Sequence, residues 1–234
     1  MKIIDKIQGF TLVEMAIVLA IIGLLIGSLL APTSVQLTQQ KIRETEKRLA
    51  TIREALLGFI IEKGYLPCPD TDFDGKEDRK NANACDYDET DGYLPWADLG
   101  VVQFDAWGRP FRYRVDGFFS NLPSGNTIGL SNTNNKNPLE ITDQTGKPLN
   151  KATPTGQRSN IVALIFSCGK NGRPDDGNAN GTIISANCEN GETDKHEYMK
   201  GMYVENQFDD ILVVLPKALF FSRLVAAGKW QESD

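Results

Sequence analysis

From Phe10 to Ala31 the chain is rich in Leu, Ile, Val and Ala, and Glu14 is the only charge in that stretch. A run of this length is what a helix needs to cross a bilayer. An ionisable side chain inside such a run is costly, about 2.5–3.5 kcal/mol on insertion scales, and so points to a partner and a role. Past Pro32 the pattern changes. Ile42, Leu49, Ile52, Leu56 and Phe59 recur at helical spacing, with Lys, Arg and Glu on the other faces. That is one apolar stripe on an amphipathic helix, which Gly64 and Pro67 bring to a stop. Pro32 is expected to interrupt and kink the helical signal between the two stretches. Gly23 and Gly27 form a GxxxG spacing, which permits close helix approach or merely loosens a helix in lipid. Counted from Thr11, the helix would extend for about 80 Å at 1.5 Å per residue.

Period-two patterns follow. Phe111, Tyr113 and Val115 alternate with Arg112 and Arg114, which predicts a half-buried strand led in by a turn at Trp107-Gly108. The run 161–166 is continuously apolar and reads as a fully buried strand, and 211–215 as another. Pro216 then opens a short helix to about Ala227, with Leu219, Phe220, Leu224 and Val225 on one side and Gly228 as its stop. Residues 120–155, rich in Asn, Thr, Gly, Ser and Pro, read as a long exposed loop. The aromatic residues around Tyr93, Trp96 and Trp107 read as core rather than as a ligand platform. Together these elements give an α+β class: residues 10–32 as an apolar helix, 33–64 as its amphipathic continuation, and 65–234 as one globular domain.

Charge narrows the function. The 234 residues carry 25 Lys and Arg against 31 Asp and Glu, a net charge of −6. No basic stripe survives outside the N-terminal segment, which argues against nucleic-acid binding. Lys2 and Lys6 precede the apolar run, so the positive-inside tendency holds the N-terminus in the cytoplasm and sends the bulk of the chain across the membrane. Four cysteines on that oxidising side read as two disulfides. Of the three possible pairings, the local one, Cys68–Cys85 and Cys168–Cys188, closes two loops of similar size. A zinc site is disfavoured, because His196 is the only histidine and no pair has CxxC spacing.

Asp70, Asp72, Asp74, Gly75, Lys76 and Asp78 follow the first three-quarters of a calcium loop of EF-hand spacing. Alternate Asp side chains would converge on a hard cation, Lys76 would offer its carbonyl, and Gly75 would permit the bend. Asn81 stands where a closing Glu belongs, a place that Asp86, Asp88, Glu89 or Asp91 would have to fill. Asp175, Asp176, Asp209 and Asp210 offer a second acidic cluster, and the spacing alone does not decide between the two. A solvated acidic turn is the plain alternative for both. The chain offers no poised nucleophile, no His cluster and no phosphate loop. Paired carboxylates of the glycosidase kind arise by chance among so many acids, so an enzyme is not expected.

The N-terminal residues carry a resemblance. A short basic leader ending in Gly9, followed by Phe10-Thr11-Leu12-Val13-Glu14 opening an apolar helix, resembles the type IV pilin family. The resemblance implies that a prepilin peptidase cuts between Gly9 and Phe10 and methylates the new Phe10 amine, and that Glu14 neutralises that amine on a neighbouring subunit. It also implies the pilin fold: a long N-terminal helix, its lower half membrane-spanning, packed on an antiparallel β-sheet with disulfide- and metal-stabilised loops. The implied partners are other pilin or pseudopilin subunits, the peptidase and an inner-membrane assembly platform. The implied location is the inner membrane, with the C-terminal domain periplasmic, and then a filament.

Further on, the Asp105-Ala106-Trp107-Gly108-Arg109-Pro110 segment, the Ser167, Gly169 and Gly172 spacing and the Asp209–Asp210 pair resemble the major pseudopilin of type II secretion, where the Trp-Gly segment lies beside a calcium-holding loop. Size and the Asn-rich loop favour a minor or tip subunit of a pilus-like filament. The acidic loops pull toward a pseudopilus, and a calcium-dependent tip adhesin is compatible with either.

Overall fold

The computed structural model describes residues 10–80, 85, 91–120, 139–149, 160–173, 175, 197–204 and 207–228. The chain divides into two compact units, residues 1–41 and 42–234, each considered by itself.

Helix α1 extends over Leu12–Lys63, and Pro32, expected to interrupt it, lies within it. In the first unit its described apolar side chains have no cover: Phe10 is 78% exposed, Leu12 88% and Leu24 77%. Among the described residues no helix is long and apolar enough to cross a membrane. The side chains of residues 27–34 lie outside those described.

In the second unit the predicted stripe is buried in full. Ile42, Leu49, Ile52, Leu56 and Phe59 are all inside, joined by Leu57, Ile60 and the polar Thr45. Each such side chain contributes about 1.5–3 kcal/mol when removed from water. Gly64 ends the helix in a left-handed conformation, its N–H donating to the Ile60 carbonyl.

The stripe packs on a four-stranded antiparallel sheet of β1 (Asp91–Tyr93), β2 (Arg112–Val115), β4 (Ile161–Ser167) and β6 (Ile211–Pro216), hydrogen-bonded in that order. The register pairs Tyr113 with Ile165 and Val115 with Ala163. These four, with Leu215, share one core with Leu49, Ile52, Leu56 and Ile60 of α1. Helix α4 (Lys217–Ala226) follows β6 directly and adds Phe220 and Leu224 to the same core. Two single-turn helices, α2 (Trp96–Leu99) and α3 (Gly117–Ser120), flank β2.

The opposite face of the sheet departs from the half-buried strand expected for β2. Arg112 and Arg114 are 5% and 4% exposed, on the same face as their partners Phe166 and Leu164. A second layer covers that face at Leu164 and Phe166. Strands β3 (Glu140–Thr142) and β5 (Glu197–Met199) pair in parallel. Ile141 and Tyr198 bury themselves in a separate core with Leu164, Phe166, Leu212 and Cys168. The Arg112 guanidinium lies 4.7 Å from the centre of the Tyr93 ring, which accommodates a cation on an otherwise apolar face. Part of the expected loop at 120–155 therefore forms a roof: Leu139–Leu149 folds back, and Leu149 N–H donates to the Ile141 carbonyl.

Candidate functional site: a helix N-terminus and two acidic clusters

At the start of α1, Glu14 occupies the first turn. Its Oε2 accepts the Thr11 backbone N–H at 2.8 Å and the Thr11 hydroxyl at 2.8 Å, while the Glu14 N–H lies 3.3 Å from Thr11 Oγ1. This reciprocal arrangement is a capping box: two donors that a helix N-terminus leaves orphaned find partners in side chains three residues apart. Phe10 is exposed immediately before it, and Gly9 lies outside the described residues.

The first acidic cluster lies in the loop after α1. Cys68 and Cys85 form a disulfide with Cα atoms 5.6 Å apart, and so staple the loop. Asp70, Asp72 and Asp78 bring one carboxylate oxygen each within 4.8 Å of the others. The Asp74 carboxylate is not part of that group. Instead, Asp74 Oδ1 accepts the Lys76 N–H at 2.8 Å.

The loop meets most of its own carboxylate demand. Both oxygens of the buried Asp70 accept backbone N–H groups, Phe73 at 2.6 Å and Gly75 at 2.7 Å, and Asp78 Oδ2 takes the Thr71 N–H and hydroxyl. Burial raises the Asp70 carboxyl above its ordinary value, and Asp78 and Asp72 add to that, while the Gly75 and Phe73 donors oppose it. Gly75 is required here. Its φ is 89°, and a Cβ would come within 2.5 Å of the Trp96 indole. Phe73 also adopts a positive φ, 68°, and its ring sits 4.6 Å from that of Tyr93. Asn81, Asp86, Asp88 and Glu89 lie outside the described residues, as does the side chain of Asp91.

The second cluster, between β4 and β6, is built differently. Asp175, Asp209 and Asp210 also bring carboxylate oxygens within 4.8 Å of one another. Asp209 Oδ2 accepts the Asn171 N–H at 2.7 Å, Asp210 Oδ2 accepts the Asp175 N–H at 2.8 Å, and Asp175 Oδ2 accepts the Asp209 N–H at 2.6 Å. Asp209 is 7% exposed, and its Oδ1 is buried with no hydrogen-bond partner. Burial pushes the Asp209 carboxyl up to about 7, opposed by the Asn171 N–H and reinforced by the adjoining Asp175 carboxylate. A buried carboxylate oxygen without a donor, next to two further carboxylates, has the chemistry of a hard-cation ligand set. Asp176 and Cys188 lie outside the described residues, while Cys168 is buried and disulfide-bonded.

Two further residues have no role of their own in the sequence pattern: Asp105, which enters there only within the pseudopilin-like segment, and Thr45. Asp105, 2% exposed, accepts the Trp107 and Arg109 N–H groups through Oδ1 and the Ser167 hydroxyl through Oδ2. Thr45, fully buried on α1, accepts the Ala106 N–H at 3.1 Å. The available signal for Asp105 was its place two residues before Trp107 in a tight turn. For Thr45 it was a small hydroxyl among the apolar residues of the stripe.

Residues 4–30 match the family described as the prokaryotic N-terminal methylation motif. The chain carries that motif. It is the signature of type IV pilins and pseudopilins, and its span takes in Gly9, Phe10 and the capping box at Thr11 and Glu14. No curated protein and no solved structure matches the chain. The methylation motif thus speaks for the helix N-terminus, and the globular unit must be read from its own geometry.

Proposed function

We propose that this chain is a non-enzymatic structural subunit of a type IV pilus-like filament, a minor pilin, released from its leader by a prepilin peptidase between Gly9 and Phe10. The observation that carries this reading is the uncovered apolar surface of α1 from Phe10 to Ile26, within the methylation motif and with Glu14 as its only charge. Such a surface is served first by the bilayer and then by the same helices of adjoining subunits.

Cleavage would leave an ammonium at Phe10. Both Thr11 bonds to Glu14 fall on Oε2, which leaves Oε1 to accept the ammonium of a neighbouring subunit. In low-dielectric surroundings two such charges attract strongly, and either one alone is penalised, so the pair would fix subunit register. The inner-membrane location, the periplasmic globular domain and the assembly platform as partner follow from this reading.

A structural calcium ion belongs to the same proposal. Asp175, Asp209 and Asp210 would hold it, supported by the donorless Oδ1 of Asp209. The Asp70, Asp72 and Asp78 group is the alternative seat. When bound, the ion would supply the positive charge that lets these carboxylates lie together. This acidic cluster, framed by Ser167, Gly169 and Gly172, also favours the second reading, a type II secretion pseudopilin driving protein export.

The test is mass spectrometry of the membrane-extracted chain, together with filament assays on Glu14→Leu. We expect a mature N-terminus at methylated Phe10, and processing without assembly in the variant. A native chain that still begins at Met1 overturns the proposal.

A further inference from the structure

The second acidic cluster is joined to α1 by a series of polar contacts, buried at Ser167 and part-buried or exposed at its two ends, with the 169–171 backbone as one link. The Asn171 N–H bonds Asp209 Oδ2 at 2.7 Å. Two residues earlier, the Gly169 N–H donates to Ser167 Oγ at 3.1 Å, and the Ser167 hydroxyl in turn donates to Asp105 Oδ2. Asp105 is fastened to the helix on its other side. Its carbonyl and that of Phe104 accept from Arg48 at 2.9 Å each, and the next N–H, of Ala106, donates to Thr45 Oγ1 at 3.1 Å.

There is little slack in this path. Ser167 and Thr45 are fully buried, and Asp105 is 2% exposed. Gly169, with φ of 52°, has no room for a Cβ, because the backbone of Asp209 occupies that space. At Gly172 a Cβ would come within 2.6 Å of the Arg109 guanidinium, so the 169–172 turn is pressed against the Asp105 turn as well. A shift of the Asp209 backbone, such as a cation drawing three carboxylates together would produce, therefore meets Gly169 and reaches the Ser167–Asp105 pair through the Gly169 N–H.

We propose that Ser167 and Asp105 are positioning residues that couple cation binding at Asp175, Asp209 and Asp210 to the seating of the Thr45–Arg48 turn of α1. The coupling rests on the calcium reading above. It places the consequence of ion binding on the helix that carries the assembly surface, rather than on the loop alone. Reciprocity follows, since whatever factor the ion contributes to the seating of α1, that seating contributes to the affinity for the ion.

The experiment uses the full chain in detergent micelles, with calcium titrated calorimetrically and amide exchange followed by mass spectrometry over residues 42–52 and 104–109. In the native chain, saturating calcium should slow exchange there about five-fold or more, the lower end of ordinary coupling between sites. Ser167→Ala should still bind one ion, more weakly by a similar factor, and lose the calcium-dependent slowing. Thr45→Val interrupts the path from the helix side and should do the same, while Ser167→Thr, which keeps the hydroxyl, should restore it.

A purely structural role for Ser167 would speed exchange equally with and without calcium, and would overturn the proposal. So would a native chain that binds calcium with no change in exchange over these two segments. Absence of calcium binding in the native chain is a separate result, which removes the ion and the coupling together.

Discussion

Two acidic clusters in one unit solve the same electrostatic problem by opposite means. The Asp70 loop turns its own backbone N–H groups inward and lies beside the Cys68–Cys85 disulfide, so its geometry is held by covalent and hydrogen bonds. The Asp209 cluster has three carboxylates converging, and among the described residues the buried Oδ1 of Asp209 has no donor. A cluster of acids thus conceals how much it needs a cation. The difference lies in where the backbone donors point.

The largest expected effect breaks the first cluster. Removing the disulfide with Cys68→Ser and Cys85→Ser should cost about 3 kcal/mol, as for a loop of this size in the chain-entropy model, read as a fall in the denaturation midpoint.

Next, the comparison itself can be tested with calcium. At 100 times its Kd an ion adds about 2.7 kcal/mol. At about 2–4 °C per kcal/mol for a chain of this size, that is a rise in Tm of about 5–10 °C. Asp209→Asn should abolish this increment and Asp70→Asn should retain it; the reverse outcome would move the ion to the first loop.

In chelator the sign is set by the Asp209 carboxyl, pushed up to about 7 from its ordinary 3.8. The folded state then binds the extra proton, so Asp209 contributes stability below about pH 4, and that contribution is lost as pH rises through about 7. Asp209→Asn should flatten this slope in a thermal scan taken between pH 5 and 8.

Smaller again is Gly75→Ala, which places a Cβ against Trp96 at a positive φ and should cost more than about 1 kcal/mol without changing calcium affinity. Smallest is Asp72→Asn. Asp72 is exposed and accepts one loop N–H at 3.1 Å, so the change in stability should stay within about 0.5 kcal/mol.

The upper half of α1 was legible in the sequence because Leu49, Ile52 and Leu56 meet one continuous partner surface, and spacing records that directly. Strand β4 was legible for the same reason, since both of its faces are covered and all seven residues are buried. Strand β2 was misjudged on its Arg face. The neighbouring Leu164 and Phe166 on that face are covered by Ile141 and Tyr198, whose strands pair in parallel and leave no local signature. At the site, the acids themselves were legible, but which of them already had donors was not, because that depends on backbone direction within each turn. The capping box sat in plain view as Thr11 and Glu14 three residues apart. Reading Glu14 only as a charge awaiting a neighbour leaves its local bond to Thr11 out.

The two-stranded roof over Leu164 and Phe166 has a practical corollary. Its halves come from chain segments more than fifty residues apart, and each strand relies on the other for its hydrogen bonds. Trimming residues 120–155 to simplify the subunit would strip the shelter from Leu164 and Phe166 and orphan 197–199 at a stroke. Engineers who wish to graft epitopes or shorten this protein must treat both inserted segments as one indivisible part.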